Sequence, residues 1–290
     1  MRLDFDAMNF INRFLGLIPF VWIFALLMSP MAQAGRAELM LSPTRFVLDG
    51  TQRTAAVDVI NKGDATGSYR IEIVDMIMPE RGAIREIDNG QTDPYSLKAF
   101  ARISPRKVIL KPGEDQMVRI LLRKPRNLQD GEYRSHLKVT LTEDNLDEAQ
   151  TKKPSTNLAI VIRPRLAFTI PIILRQGETH YKVGIEHARV YYAEQDTKKT
   201  SPMLELLFTH EGNRSSMGDL KVTHISPTGK STVLTYFPGI AIYRDADRRR
   251  ISVPLSVPDG VDLTAGQLQV SYTAQQREGG GLIASMSLKL

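Results

Sequence analysis

The chain contains no cysteine. That removes disulfides, thiol nucleophiles and thiolate metal sites together, so stability has to come from packed apolar cores. Tryptophan occurs once, at Trp22, and no cluster of acidic, aromatic or histidine residues suited to a sugar site is apparent. The five histidines, His136, His180, His187, His210 and His224, form no HxxxH or HExxH pair, and no metal centre is implied. There is no GxSxG nucleophile elbow and no GxxxxGKS/T phosphate loop. Acidic pairs such as Asp144 and Asp147 fall in a polar segment, where a solvated surface accounts for them. No long stretch keeps a helical period, and Asp93 to Phe100 offers one helical turn at most. Nothing in the sequence asks for an enzyme, a cofactor or a small-molecule substrate.

What the chain does have is length and apolar content. Its 290 residues, 42% hydrophobic and 24% charged, suffice for one large domain or two ordinary ones. Residues 15–28 read LGLIPFVWIFALLM, with Arg2 and Arg13 before them and Ala32-Gln33-Ala34 after. This is the layout of a signal peptide over residues 1–34, cleaved after Ala34. The uncharged run is short for a bilayer span, which needs ~20 residues, although an uncleaved anchor is the alternative. On either reading the remainder lies outside the cytoplasm. The leader holds two arginines and two aspartates, so the net charge of +6 does not depend on it. That excess is ordinary solubility charge, and nucleic acid is not an expected partner outside the cytoplasm.

Beyond the leader, short alternating runs recur between turn signals, the pattern of an all-β protein. Val57 and Val59 alternate with Asp58 and Ile60; Tyr69, Ile71 and Ile73 with Arg70 and Glu72. In DGEYRSHLKVTL, Leu137, Val139 and Leu141 share one face, and Arg134, His136 and Lys138 the other. Residues 143–156, EDNLDEAQTKKPST, read as a polar loop. A second series of runs begins with YKVGIEHARVYY and ends with LIASMSLKL. Each half carries enough strand candidates for an immunoglobulin-like sandwich. The expected division is 35–171 and 172–290. YRDADRRR, residues 243–250, reads as a solvated turn with local ion pairs.

Several of these segments occur in an order that is specific. ELMLSPTRFVLDG supplies Thr44, Arg45, Val47, Asp49 and Gly50; a strand ending Ile60-Asn61-Lys62 comes next; then VILKPGEDQMVR supplies Leu110, Pro112, Gly113, Met117 and Arg119. Over most of the first half the chain resembles the periplasmic chaperones of the chaperone–usher pilus pathway, the PapD-like family. In the second half the likeness is looser and rests on GNRSSMGDLKV, residues 212–222.

The resemblance implies two immunoglobulin-like sandwiches in a boomerang arrangement. It implies pilus or fimbrial subunits as partners, an outer-membrane usher as the recipient, and a periplasmic location. Such a chaperone lends a strand to a subunit that lacks one, a mode known as strand addition. NLAIVIRPRLAF, residues 157–168, lies where that donor strand belongs, with Leu158, Ile160 and Ile162 on one side by period-2 geometry. Burying three aliphatics would contribute roughly 5–9 kcal/mol before ordering costs. A free apolar edge is also an aggregation liability, and two such edges could pair in a self-capping dimer.

The family holds the subunit's C-terminal carboxylate between a basic residue on the first strand and a lysine at the end of the donor strand. Arg45 matches the first. The lysine position falls on Ala167, or on Leu166 with a one-residue shift, and neither is basic. Arg165, two residues earlier, and Arg134, on the neighbouring strand, are the candidate substitutes. A competing reading is a secreted immunoglobulin-like adhesin or structural subunit of a surface assembly, which would carry its donor segment at the N-terminus.

Overall fold

A computed structural model of the chain describes residues 36–87, 91, 93–142, 166–194 and 200–290. The leader, the polar loop at 143–156, the donor candidates Leu158, Ile160 and Ile162, and Arg165 lie outside the described residues. The stretch Ala37–Leu290 forms one unit, and it is almost entirely β, as expected.

The first half contributes β1 (Leu39–Ser42), β2 (Phe46–Asp49), β3 (Thr54–Asn61), β4 (Gly67–Val74), β5 (Met76–Ile77), β6 (Arg85–Glu86), β7 (Ala101–Ser104), β8 (Lys107–Leu110), β9 (Asp115–Leu122), β10 (Gly131–Thr142) and β11 (Ala167–Gln176). One sheet has the order β1-β3-β9-β7, the other β2-β11-β10-β4-β8, and β5 pairs with β6 in a small hairpin. The core between the sheets is built from the alternating positions: Val57 and Val59 of β3, Tyr69 and Ile71 of β4, Val118 and Ile120 of β9, Leu137 and Val139 of β10, and Ile172 and Leu174 of β11. The segment Asp93 to Phe100 makes turns rather than a helix. Asp93 caps the Tyr95 N–H with its own side chain (2.8 Å), and Phe100 N–H returns to Leu97 O (3.1 Å).

Two features of this sandwich position the candidate site. First, the segment ELMLSPTRFVLDG forms two strands, β1 and β2. Leu39 and Leu41 face the core from β1, and Phe46 and Leu48 from β2. The parity changes between them because the chain crosses from one sheet to the other over Ser42–Arg45, past a cis Ser42–Pro43 peptide. Second, the division expected after Pro171 falls inside β11. The alternation of Ile170, Ile172 and Leu174 runs on through that proline into the first core, so the first sandwich extends to Gln176. Gly177 comes next with φ 61°, and a Cβ there would collide with the Asp130 carboxylate.

The second half contributes β12 (Tyr181–Glu194), β13 (Thr200–Gly212), β14 (Ser216–Ile225), β15 (Ser231–Ile242), β16 (Arg248–Pro254), β17 (Gln267–Ala274), a 3-10 turn Gln276–Glu278, and β18 (Leu282–Lys289). Its sheets have the orders β12-β13-β16 and β15-β14-β17-β18. Leu204, Leu206 and Phe208 of β13 meet Leu220 and Val222 of β14 and Val270 and Tyr272 of β17 in a second core.

Asn61 shows how a polar residue fixes the first sandwich. It is fully buried. Its amide donates to Ala65 O (2.7 Å) and Leu110 O (3.0 Å), and its oxygen accepts from Glu38 N (3.2 Å) and Gly63 N (3.1 Å). One side chain thereby ties together the chain before β1, the turn after β3 and the end of β8. Asn61→Leu strands several of these backbone groups, each costing about 1–3 kcal/mol when buried without a partner. We expect urea unfolding of Asn61→Leu to show a loss of at least ~3 kcal/mol, well beyond that of an average substitution.

Candidate functional site

The outer face of the β2-β11-β10 sheet carries the chemistry. Register places Val47 beside Ile173 beside Arg134. Arg175 faces Glu132 in the next row on one side, and Pro171 faces His136 on the other. The second sandwich covers one end of this face. Val47, Met78 and Ile173 meet Met217, Ala241, Tyr243 and Ala246 in a small apolar cluster.

Around that cluster lies a layer of paired charges. The Glu278 carboxylate accepts from Arg175 of the first sandwich (2.7 Å) and from Arg214 of the second (2.7 Å), with its side chain only 2% exposed. Glu132, fully buried, accepts from Ser215 and lies 3.5 Å from Arg175 Nε. Arg244 donates to Glu132 O (2.9 Å) and stacks over the Tyr95 ring. Arg134 donates to Met76 O (2.9 Å), pairs with Asp245 (2.8 Å) and lies over the Tyr243 ring. Asp245 also accepts from Met78 N (2.9 Å).

Two sequence expectations change here. YRDADRRR is no solvated turn, because Tyr243 and Ala246 are buried at the junction and Arg244 and Asp245 bind across it. A run of charges reads as solvated when no partner is in sight, and these partners are more than a hundred residues away in sequence. Arg134 is 5% exposed and is engaged by Asp245 and Tyr243. It bonds across the two sandwiches, and its NH1, like that of Arg45, is buried without a partner among the described residues.

Arg45 is different. It sits at the sheet switch just before β2, half-buried, with one NH2 donor to Gln275 Oε1 (3.2 Å) and a buried NH1 without a partner among the described residues. Burial, and then the charge of Arg277, pulls its pKa below the usual arginine value. Register fixes its surroundings. β2 begins to pair with β11 at Ile172, so Arg45 stands where the β2 side of β11 changes hands. From Ala167 to Pro171, β11 pairs with β10 alone among the described strands. On this one-sided stretch Leu166 and Phe168 are 53% and 46% exposed, in line with the buried Ile170, Ile172 and Leu174.

His136 lies under the same face, 2% exposed, with neither ring nitrogen partnered among the described residues. Burial, helped by Arg134, pushes its pKa down to about 3 from 6.5.

No family model matches the chain, and no curated protein matches it significantly. Solved structures similar to it are fimbrial chaperones. The class 5 fimbriae chaperone CfaA is 15% identical with a TM-score of 0.40, over 87% of this chain and 98% of that one. The CsuC–CsuE chaperone–tip adhesin pre-assembly complex from archaic chaperone-usher Csu pili of Acinetobacter baumannii gives 12% and 0.42, over 85% and 97%. The Pseudomonas aeruginosa CupB2 chaperone gives 10% and 0.40, over 87% and 100%. Likeness at this level leaves the roles of individual residues to be read from the chain itself.

The contrast between the two arginines is measurable. Arg134→Ala removes the cation facing Asp245 and leaves that carboxylate with the Met78 N–H, and we expect a loss of about 1–3 kcal/mol. Arg45→Ala removes a charge that is desolvated and faces a like charge, and the melting temperature should stay level or rise. His136 gives a second test. Its folded pKa lies below its unfolded one, so the unfolded state takes up a proton that the native state refuses. The associated stability is complete above pH 6.5 and is lost as pH falls toward 3, at up to about 1.4 kcal/mol per pH unit. His136→Phe should flatten the stability–pH curve across that window.

Proposed function

We propose that the chain is a non-catalytic periplasmic chaperone for pilus or fimbrial subunits, acting by donor-strand complementation and passing its client to an outer-membrane usher. The observation that carries this reading is the one-sided stretch of β11. An apolar ribbon leaves its own core at Ile170 and is exposed at Phe168 and Leu166, and its side left open among the described strands ends where β2, directly after Arg45, begins to pair. In the sequence, Leu158, Ile160 and Ile162 share the even numbering of Leu166 and Phe168. A client that lacks a strand would gain backbone pairing along this edge and apolar fill from those residues. Without a client, two such edges could pair as a dimer.

Arg45 is the anchor for the client's C-terminal carboxylate. A guanidinium presents paired N–H donors that match the two oxygens of a carboxylate, and NH1 of Arg45 is buried without a partner among the described residues. The free energy for release comes from exchanging one donor strand for another, so no nucleotide is needed.

Co-purification with fimbrial subunits from the periplasm tests both parts. Arg45→Ala should lose the bound subunit while circular dichroism of the chaperone is unchanged. Ile160→Asp should do the same by placing a charge in the client's groove. Undiminished capture by Arg45→Ala would remove the anchor. Undiminished capture by Ile160→Asp would remove the donor strand.

A further inference from the structure

The second cation for the client carboxylate is not at the lysine position of the donor strand, where Ala167 stands, and the candidate Arg165 lies outside the described residues. We propose that it is Arg277, supplied by the second sandwich, and that Gln275 holds Arg277 and Arg45 together as a carboxylate-binding pair. This rests on the anchor role of Arg45.

The pair is visible in the hydrogen bonds of a single atom. Gln275 Oε1 accepts from Arg45 NH2 (3.2 Å), Arg277 Nε (3.1 Å) and Arg277 NH2 (3.0 Å). An amide oxygen has two lone pairs and no formal charge. Three donors on two guanidiniums therefore compete for it, and two positive charges face each other across a neutral group. Among the described residues neither guanidinium has a carboxylate within ion-pairing distance. Glu278, the residue after Arg277, is committed to Arg175 and Arg214. Asp219 is held by Tyr236 OH (2.8 Å), Gly239 N (2.9 Å) and Gln275 Nε2 (3.1 Å). That last bond also fixes the amide so that its oxygen points at the arginines.

A carboxylate removes each of these deficits. It brings two oxygens, about four acceptor positions, and a negative charge at contact distance, where Glu278 and Asp219 act on Arg45 and Arg277 only from further off. It could take the free NH1 of Arg45 as well as donors now crowded on Gln275. Arg277 is exposed and Arg45 half-buried, so a chain terminus arriving along the open edge of β11 would meet Arg45 from one sandwich and Arg277 from the other.

The test uses the full mature chain labelled with 15N at arginine, and two probes: the peptide acetyl-Val-Gly-Val-Gly with a free C-terminal carboxylate, and the same peptide as its C-terminal amide. In the wild type the acid should shift the Nε–Hε signals of both Arg45 and Arg277 and bind at least about tenfold more tightly than the amide, since a charge-assisted bond is the difference. Arg277→Gln should lower acid binding by about tenfold or more with unchanged melting temperature, and Arg277→Lys, which keeps the charge but loses the paired donors, should restore only part of it. If Arg277→Gln binds the acid as the wild type does while Arg45→Gln does not, the second cation lies elsewhere and the anchor role of Arg45 stands. If the wild type does not distinguish acid from amide, the anchor reading itself falls, and Arg277 with it.

Discussion

Everything at the junction depends on the buried carboxylate of Glu278. An ionised group taken out of water costs several kcal/mol unless its partners are in place. Here the partners are one arginine from each sandwich, Arg175 and Arg214, both at 2.7 Å. Glu278 is satisfied only when the two sandwiches meet in this one arrangement. Such a group adds little net stability compared with an apolar contact, but it penalises any other docking of the domains. Glu132 adds to the constraint from the opposite side, because its backbone N–H, its carbonyl and its carboxylate all bind residues of the second sandwich.

The apolar part of the junction is small by comparison. Val47, Met78 and Ile173 against Met217, Ala241, Tyr243 and Ala246 make a cluster far smaller than either core. A contact of this size alone would let the domains move. The ring of charged bonds supplies the orientation that the apolar patch lacks. That ring engages Glu278, while Asp219 is held inside the second sandwich, and among the described residues Arg45 and Arg277 share the Gln275 amide oxygen.

Much of the fold was legible because alternation is a local signal. Val57/Val59, Tyr69/Ile71 and Leu137/Val139 face the core as their spacing predicts. In the second half the strands fall where the alternating runs are. The division between β1 and β2 was written in the sequence too: Leu39 and Leu41 are odd, Phe46 and Leu48 even, and a single strand cannot bury both pairs on one face. The junction was not legible. Arg134 and His136 sit on the polar face of β10, and nothing local says that this face is covered. Only the arrival of Tyr243 and Asp245 makes it interior. The motif points to Arg45 as an anchor candidate. No motif points to Arg277, which stands out only through an oxygen it shares with a residue of the other sandwich.

The position of Arg45 also bears on the direction of a client strand, if the chain is a donor-strand chaperone. β2 runs parallel to β11 and occupies its outer side from Ile172 onward. A strand added along the open stretch must therefore stop short of β2, with one end beside Arg45. If it runs antiparallel to β11, that end is its N-terminal one and brings a positive amine or a neutral backbone toward a guanidinium. If it runs parallel, its C-terminus arrives there, and a carboxylate meets two guanidiniums that share only an amide oxygen. Backbone pairing alone is nearly indifferent to polarity, since parallel ladders are only slightly weaker than antiparallel ones. Charge at the strand's end is not indifferent, and it selects the parallel orientation.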